Sequence, residues 1–212
     1  MYTAGMQPQG SHATMPAFRL AFWLTLPWLT LPWLALPCQA QTSLPLFGLL
    51  PGSHTREQVQ QVVQARQARI TGEFYGNAQD AFLAVTPENI PNKRVIVMQV
   101  EGMPDSGTPH LQMAFLDEVL YQIRFNYPPG TPTDPAYLEL TQRYGLPAGH
   151  GSNQAAAYSW PQGAYTVTLQ KQLAGSYALI WQHNALARQV ATSNTEAYAA
   201  HIRNKKRTIG HF

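Results

Sequence analysis

The segment Val119–Tyr127 alternates along its whole length. Val119, Tyr121, Ile123, Phe125 and Tyr127 fall on one parity, and Leu120, Gln122, Arg124 and Asn126 on the other. Successive side chains of an extended chain point to opposite faces, so this period of two predicts a strand with one apolar and one more polar face. The same pattern recurs at Tyr165, Val167 and Leu169 against Thr166, Thr168 and Gln170, and at Tyr177, Leu179 and Trp181 against Ala178, Ile180 and Gln182. Around these anchors the reading places two sets of strands. The first is Ala81–Thr86, Arg94–Glu101, Leu111–Leu116 and Val119–Tyr127; the second is Ala156–Trp160, Tyr165–Gln170, Tyr177–Gln182 and Leu186–Ala191. Short polar turns separate them, which argues for antiparallel meanders rather than crossovers.

A helix signal precedes each set. In Ser53–Arg66, Thr55 and Gln58 have the spacing of a capping box, and Val59, Val62, Val63 and Arg66 share one face. In Asp134–Tyr144, Asp134 is the expected N-cap, Pro135 the first helical residue, and Gly145 with Pro147 the stop. Tyr137, Leu140, Thr141 and Tyr144 form its expected buried face. The expected class is therefore α+β: tandem helix-plus-antiparallel-meander units forming one sheet of about eight strands, with short helices packed on one face. The units are placed at 41–130 and 131–192, followed by a C-terminal helix and basic tail at 193–212. Phe115–Leu120 lies over Trp181–Leu186, with an aromatic, a polar hairpin turn and a Leu in register, as a degenerate duplication requires.

Before the first helix the composition changes. Leu20–Leu36 carries no charge and is broken by Pro27 and Pro32; at about 17 residues it falls short of the roughly 20 needed for a helical span. Arg19 stands just before it and Cys38-Gln39-Ala40 just after, the layout of a signal peptide over 1–40, cleaved after Ala40 and starting at Met15. Export to the periplasm or medium is expected. Lipidation of Cys38, or an uncleaved leader, is the alternative that would bring membrane contact. Cys38 is the chain's one cysteine, so no intrachain disulfide, thiolate metal site or redox pair exists.

The opening Leu46-Phe47-Gly48-Leu49-Leu50-Pro51-Gly52-Ser53, running into a capped T-x-E-x-V-x-x-V helix, resembles the small bacterial envelope domains of the SmpA/BamE group. Their architecture is shared with the secreted β-lactamase-inhibitor proteins, which duplicate a helix-plus-sheet unit. Arg143-Tyr144-Gly145-Leu146-Pro147, Trp160 and the Trp181 segment are similar to the second unit of such a duplication. The stretch Arg66–Asp80 departs from the pattern, because it lacks a glycine at the expected helix stop. The resemblance implies binding or assembly without catalysis, and it transfers no site residue.

Chemistry-bearing motifs are sparse. His54, His110, His150, His183, His201 and His211 form no H-x-H or H-E-x-x-H pair, and no phosphate-binding glycine loop occurs, so neither metal nor cofactor is expected. Three constellations remain for a small hydrolase as the alternative function. They are a site assembled from His110, His183 and Asp117, the Gly149–Ser152 loop with Ser152, and the Asp117-Glu118 carboxylate pair. Each has a plainer reading as exposed turn residues.

Aromatic residues crowd the strands. Two short helices would leave part of such a sheet open, so Tyr158, Trp160 and Trp181 are the expected protein-partner-binding residues. The chain ends in Arg203, Lys205, Lys206 and Arg207, a cluster suited to an anionic envelope component; nucleic acid is not expected for an exported protein. Without this tail, 41–202 has nine basic and 11 acidic residues, so the basicity of the whole chain belongs to its end. The expected function is an exported, non-enzymatic binding or envelope-assembly accessory, or, if Cys38 is acylated, a membrane-tethered one.

Overall fold

A computed structural model describes residues 46–87, 89–148, 157–172 and 175–209. The expected leader over 1–40, with Met15, Cys38 and Ala40, lies outside the described residues, as do His150, Ser152 and His211. The element order is α1 (Arg56–Ala65), β1 (Arg69–Asn77), β2 (Pro91–Glu101), β3 (His110–Leu116), β4 (Val119–Tyr127), α2 (Asp134–Tyr144), β5 (Ala157–Gln162), β6 (Tyr165–Lys171), β7 (Tyr177–His183) and α3 (Asn184–Ile209). All strands join one antiparallel sheet of seven, in the order β1-β2-β3-β4-β7-β6-β5.

α1 begins as its sequence requires: Thr55 accepts from Gln58 N, and the Gln58 side chain accepts from Thr55 N. Its stop uses no glycine. Gln67 takes the left-handed conformation at φ 59°, so the chain turns straight into β1. α2 spans the expected residues, but Thr133 is its N-cap and makes no side-chain cap bond; Asp134 already lies within the first turn, beside Pro135. Gly145 closes it at φ 82°.

Two expected strands are corrected. Ala81–Thr86 is irregular chain, and the first strand is instead Arg69–Asn77, whose period is masked by Gly72, Gly76 and two irregularities of register. Gly76 is needed there because a Cβ would stand 2.6 Å from Val95 Cγ1. Leu186–Ala191 is not a strand but part of the first two turns of α3, which runs 26 residues from Asn184. Leu186, Ala187 and Val190 sit at helical spacing and pack together on the sheet, so a period near 3.6 wins over a pattern too short to fix a period of two. The boundary expected between 192 and 193 falls inside this helix, and Trp181–Leu186 is a strand-to-helix junction rather than a hairpin.

Helices therefore cover both faces, not one. On the first face, Val59 and Val63 of α1 pack on Met98, Val100, Met113, Phe115, Leu120, Ile123 and Phe125. On the same face, Leu140 of α2 packs on Trp160, Val167, Leu169, Tyr177 and Trp181. On the second face, Leu186, Ala187 and Val190 of α3 pack on Val95, Val97, Ala114, Leu116 and Tyr121. A buried polar knot holds α3 there: Asn92 Nδ2 donates to Ser193 Oγ at 2.9 Å and Asn194 Oδ1 at 2.7 Å, and Ser193 Oγ donates to Asn92 Oδ1 at 3.1 Å.

Candidate functional site

Register places the aromatic residues inside. Met98, Met113, Ile123, Trp181, Val167 and Trp160 lie side by side across six strands on the first face. Trp160 is 1% and Trp181 3% exposed. Trp160 Nε1 donates to Gly145 O at 2.9 Å, tying β5 to the end of α2. Tyr158 is half-buried and edge-on to Tyr137 of α2, centroids 4.8 Å apart. Of the expected partner surface, Trp160 and Trp181 are thus corrected to core residues, because α2 rather than solvent covers them, and Tyr158 is half-buried at the edge of that core. Tyr127 and Tyr177 stack at 4.4 Å in the same layer, and burial pushes the Tyr127 hydroxyl up to about 12 and raises that of Tyr177.

One residue along each strand, the second face presents a different row: Gln99, Gln112, Arg124, Ile180, Thr168 and Ser159. The next row is Glu101, His110, Asn126, Ala178, Gln170 and Ala157. α3 covers Val97 and Ala114, in the row on the other side of Gln99 and Gln112. Apart from Ala178 and Ile180 these two rows are half-buried or exposed, and most of their side chains carry hydrogen-bonding groups. Arg124 Nε donates to Asn126 Oδ1 at 3.0 Å, and Asn126 Nδ2 to Gln112 Oε1 at 3.1 Å. The Arg124 guanidinium lies 5.1 Å from the Phe82 ring centroid, and burial lowers its pKa. Ser159 and Thr168 hydroxyls meet at 3.4 Å. Beside this network, Thr71, Gln99, Glu101, His110, Gln112 and Asn126 line a recess of about 440 Å3.

These polar residues were present in the sequence as the alternate members of the strand pattern. The missing signal was which face a helix would cover.

Of the expected hydrolase constellations, the two that lie among the described residues are not assembled, and the Gly149–Ser152 loop lies outside them. His110 opens β3 and pairs with Asn126, whereas His183 ends β7 at the far end of the sheet, where its Nδ1 accepts from Leu186 N at the start of α3. Asp117 and Glu118 form a two-residue hairpin turn with φ 47° and 70°, the geometry that matches strand twist. Their carboxylates diverge to separate arginines. Arg94 Nη2 reaches Asp117 Oδ2 at 2.5 Å, which holds that carboxyl below its ordinary pKa, and Arg56 Nε reaches Glu118 Oε2 at 2.7 Å. Among the described residues no group of three His, Cys, Asp or Glu side chains could hold a metal ion, and no helix is long and apolar enough to cross a membrane.

No protein-family model, curated protein or solved structure matches the chain.

Proposed function

We propose that the chain is an exported, non-enzymatic binding or envelope-assembly accessory protein that recognises a protein partner through the polar rows of its second sheet face. The observation that carries this reading is the Gln112–Asn126–Arg124 network, whose donors and acceptors are already oriented on a rigid sheet beside a recess. Preorganised polar side chains on strands lose little entropy on binding and suit a partner's backbone or polar side chains. Export rests on Arg19, Leu20–Leu36 and the Cys38-Gln39-Ala40 run. The finer fold reading, a tandem duplication, belongs with this proposal. α1 and α2 share a face, and the last strands of the two halves, β4 and β7, pair antiparallel at the middle of the sheet.

The test is capture of partners from envelope extract by wild type, Thr168→Arg and Gln112→Arg. A partner held by wild type and lost from both variants is the expected outcome. Identical capture by all three removes this face from the function.

A further inference from the structure

The second half of α3 carries a surface that the sheet does not use. Ser193, Ala197, Ala200 and Asn204 keep to the side of the helix that borders Asn92, Lys93 and Arg94 of β2. Tyr198, Ile202, Lys205 and Lys206 follow at i, i+4, i+7 and i+8, which gathers them on the opposite side, turned away from the sheet. Tyr198 is 46% exposed, and Arg203, Lys205, Lys206 and Arg207 are all exposed. No acidic residue follows Glu196 in the chain. Among the described residues none of the four cations has a salt-bridge partner.

The charges are not explained by the helix that carries them. Cations help a helix C-terminus only within its last turn, which takes in Lys206 and Arg207 but not Arg203 or Lys205. Arg203 stands three and four residues before Lys206 and Arg207, and like charges at those spacings work against the helix. Lys205 and Lys206 flanking a Tyr-Ile stripe are instead the composition of an interfacial helix, with Arg203 and Arg207 on the neighbouring sides of the same turns. The aromatic and aliphatic groups enter the headgroup boundary while the ammonium and guanidinium groups reach lipid phosphates.

We propose that the outer flank of α3, formed by Tyr198, Ile202, Lys205 and Lys206, docks the protein on an anionic phospholipid bilayer. The proposal commits to a lipid surface because of charge complementarity and because the apolar pair lies between cations rather than in a separate patch. It stands apart from the polar sheet rows, so either reading can fail alone.

The experiment is sedimentation of the full chain with phosphatidylcholine vesicles, with or without about one third phosphatidylglycerol, at 0.1 M and 0.5 M salt. Wild type is compared with Lys205→Gln/Lys206→Gln and with Tyr198→Ser/Ile202→Ser. All three chains share the same N-terminal segment, so the readout is the ratio of their affinities. Each lysine near an anionic surface is worth about five-fold in binding, so the double lysine variant should bind anionic vesicles on the order of 25-fold more weakly. The ratio should approach one on neutral vesicles and shrink at high salt. The Tyr198/Ile202 variant should weaken binding several-fold at both salts. Circular dichroism should show α3 intact in both, since Gln and Lys have similar helix propensity and the changed residues lie off the sheet. A ratio near one on anionic vesicles overturns the proposal. So does tighter, equally lysine-dependent binding to a DNA duplex at the same salt.

Discussion

The two faces of the sheet differ by a single step along each strand. Met98, Met113, Ile123, Trp181, Val167 and Trp160 make a closed apolar row under α1 and α2, while their neighbours Gln99, Gln112, Arg124, Ile180, Thr168 and Ser159 make a row on the other side that is polar but for the buried Ile180. The same backbone serves both, so what separates the closed apolar row from the polar one is parity within the strand, and the proposed division between stability and recognition rests on it. On the apolar face each side chain is held by many neighbours and a change there is felt by the fold. In the polar rows Arg124, Asn126 and Gln112 hold one another, and under the proposed function a change there is felt by the partner.

The strongest way to break this comparison is Trp160→Ala. It opens a cavity between β5 and α2 and removes the Nε1 bond to Gly145 O. A loss of about 3–5 kcal/mol is expected by urea unfolding; a loss below about 1 kcal/mol would place Trp160 outside the core.

Asn92→Ala probes how the second face is divided. It strips Ser193 Oγ of its buried partner and loosens α3 from the start of β2. About 2 kcal/mol should be lost, with hydrogen exchange rising first in 184–200. Uniform exchange along the chain would show that α3 is not held separately.

Alkaline pH sharpens the contrast from the other side. The fold keeps Tyr127 and Tyr177 neutral, Tyr127 until about pH 12, whereas unfolded phenols ionise from about pH 10. Their contribution is complete below pH 10 and disappears as pH rises toward 12, on the order of 1–2 kcal/mol after allowance for partial exposure. The melting midpoint should fall over that window, and Tyr127→Phe should flatten the fall.

The smallest expected change in stability is at Thr168→Arg. A half-buried strand residue on the polar row has room at the surface, so unfolding should shift by no more than about 0.5 kcal/mol. A larger loss would mean that the polar row is covered and belongs to the core.

Much of this was legible in the sequence. Strict alternation placed β4, β6 and β7, and Thr55 with Gln58 marked the capping box of α1, although the helix signal was drawn from Ser53 and the helix begins at Arg56. Coverage was not legible. Period two says that the faces differ but not which helix lands on which: α1 and α2, both visible in the sequence, close the aromatic face instead of leaving part of it open. The cover of the other face was hidden in Leu186–Ala191, the first turns of α3, where apolar residues are too few to separate a strand from a helix. β1 was missed for a related reason: its two glycines and broken register erase the alternation that marked the other strands. The His110–His183–Asp117 constellation failed on sheet geometry, since His110 and His183 belong to opposite ends of strands whose registers the sequence did not reveal.

The most direct test of the division between the faces is photo-crosslinking in cells. A photoreactive phenylalanine is placed at Gln112 or Thr168 on the polar rows, and at Leu138, which is exposed on α2 above the apolar face. A discrete adduct from Gln112 and Thr168, with none from Leu138, is the predicted result. An adduct from Leu138 alone would contradict it and move recognition to the helix-covered side.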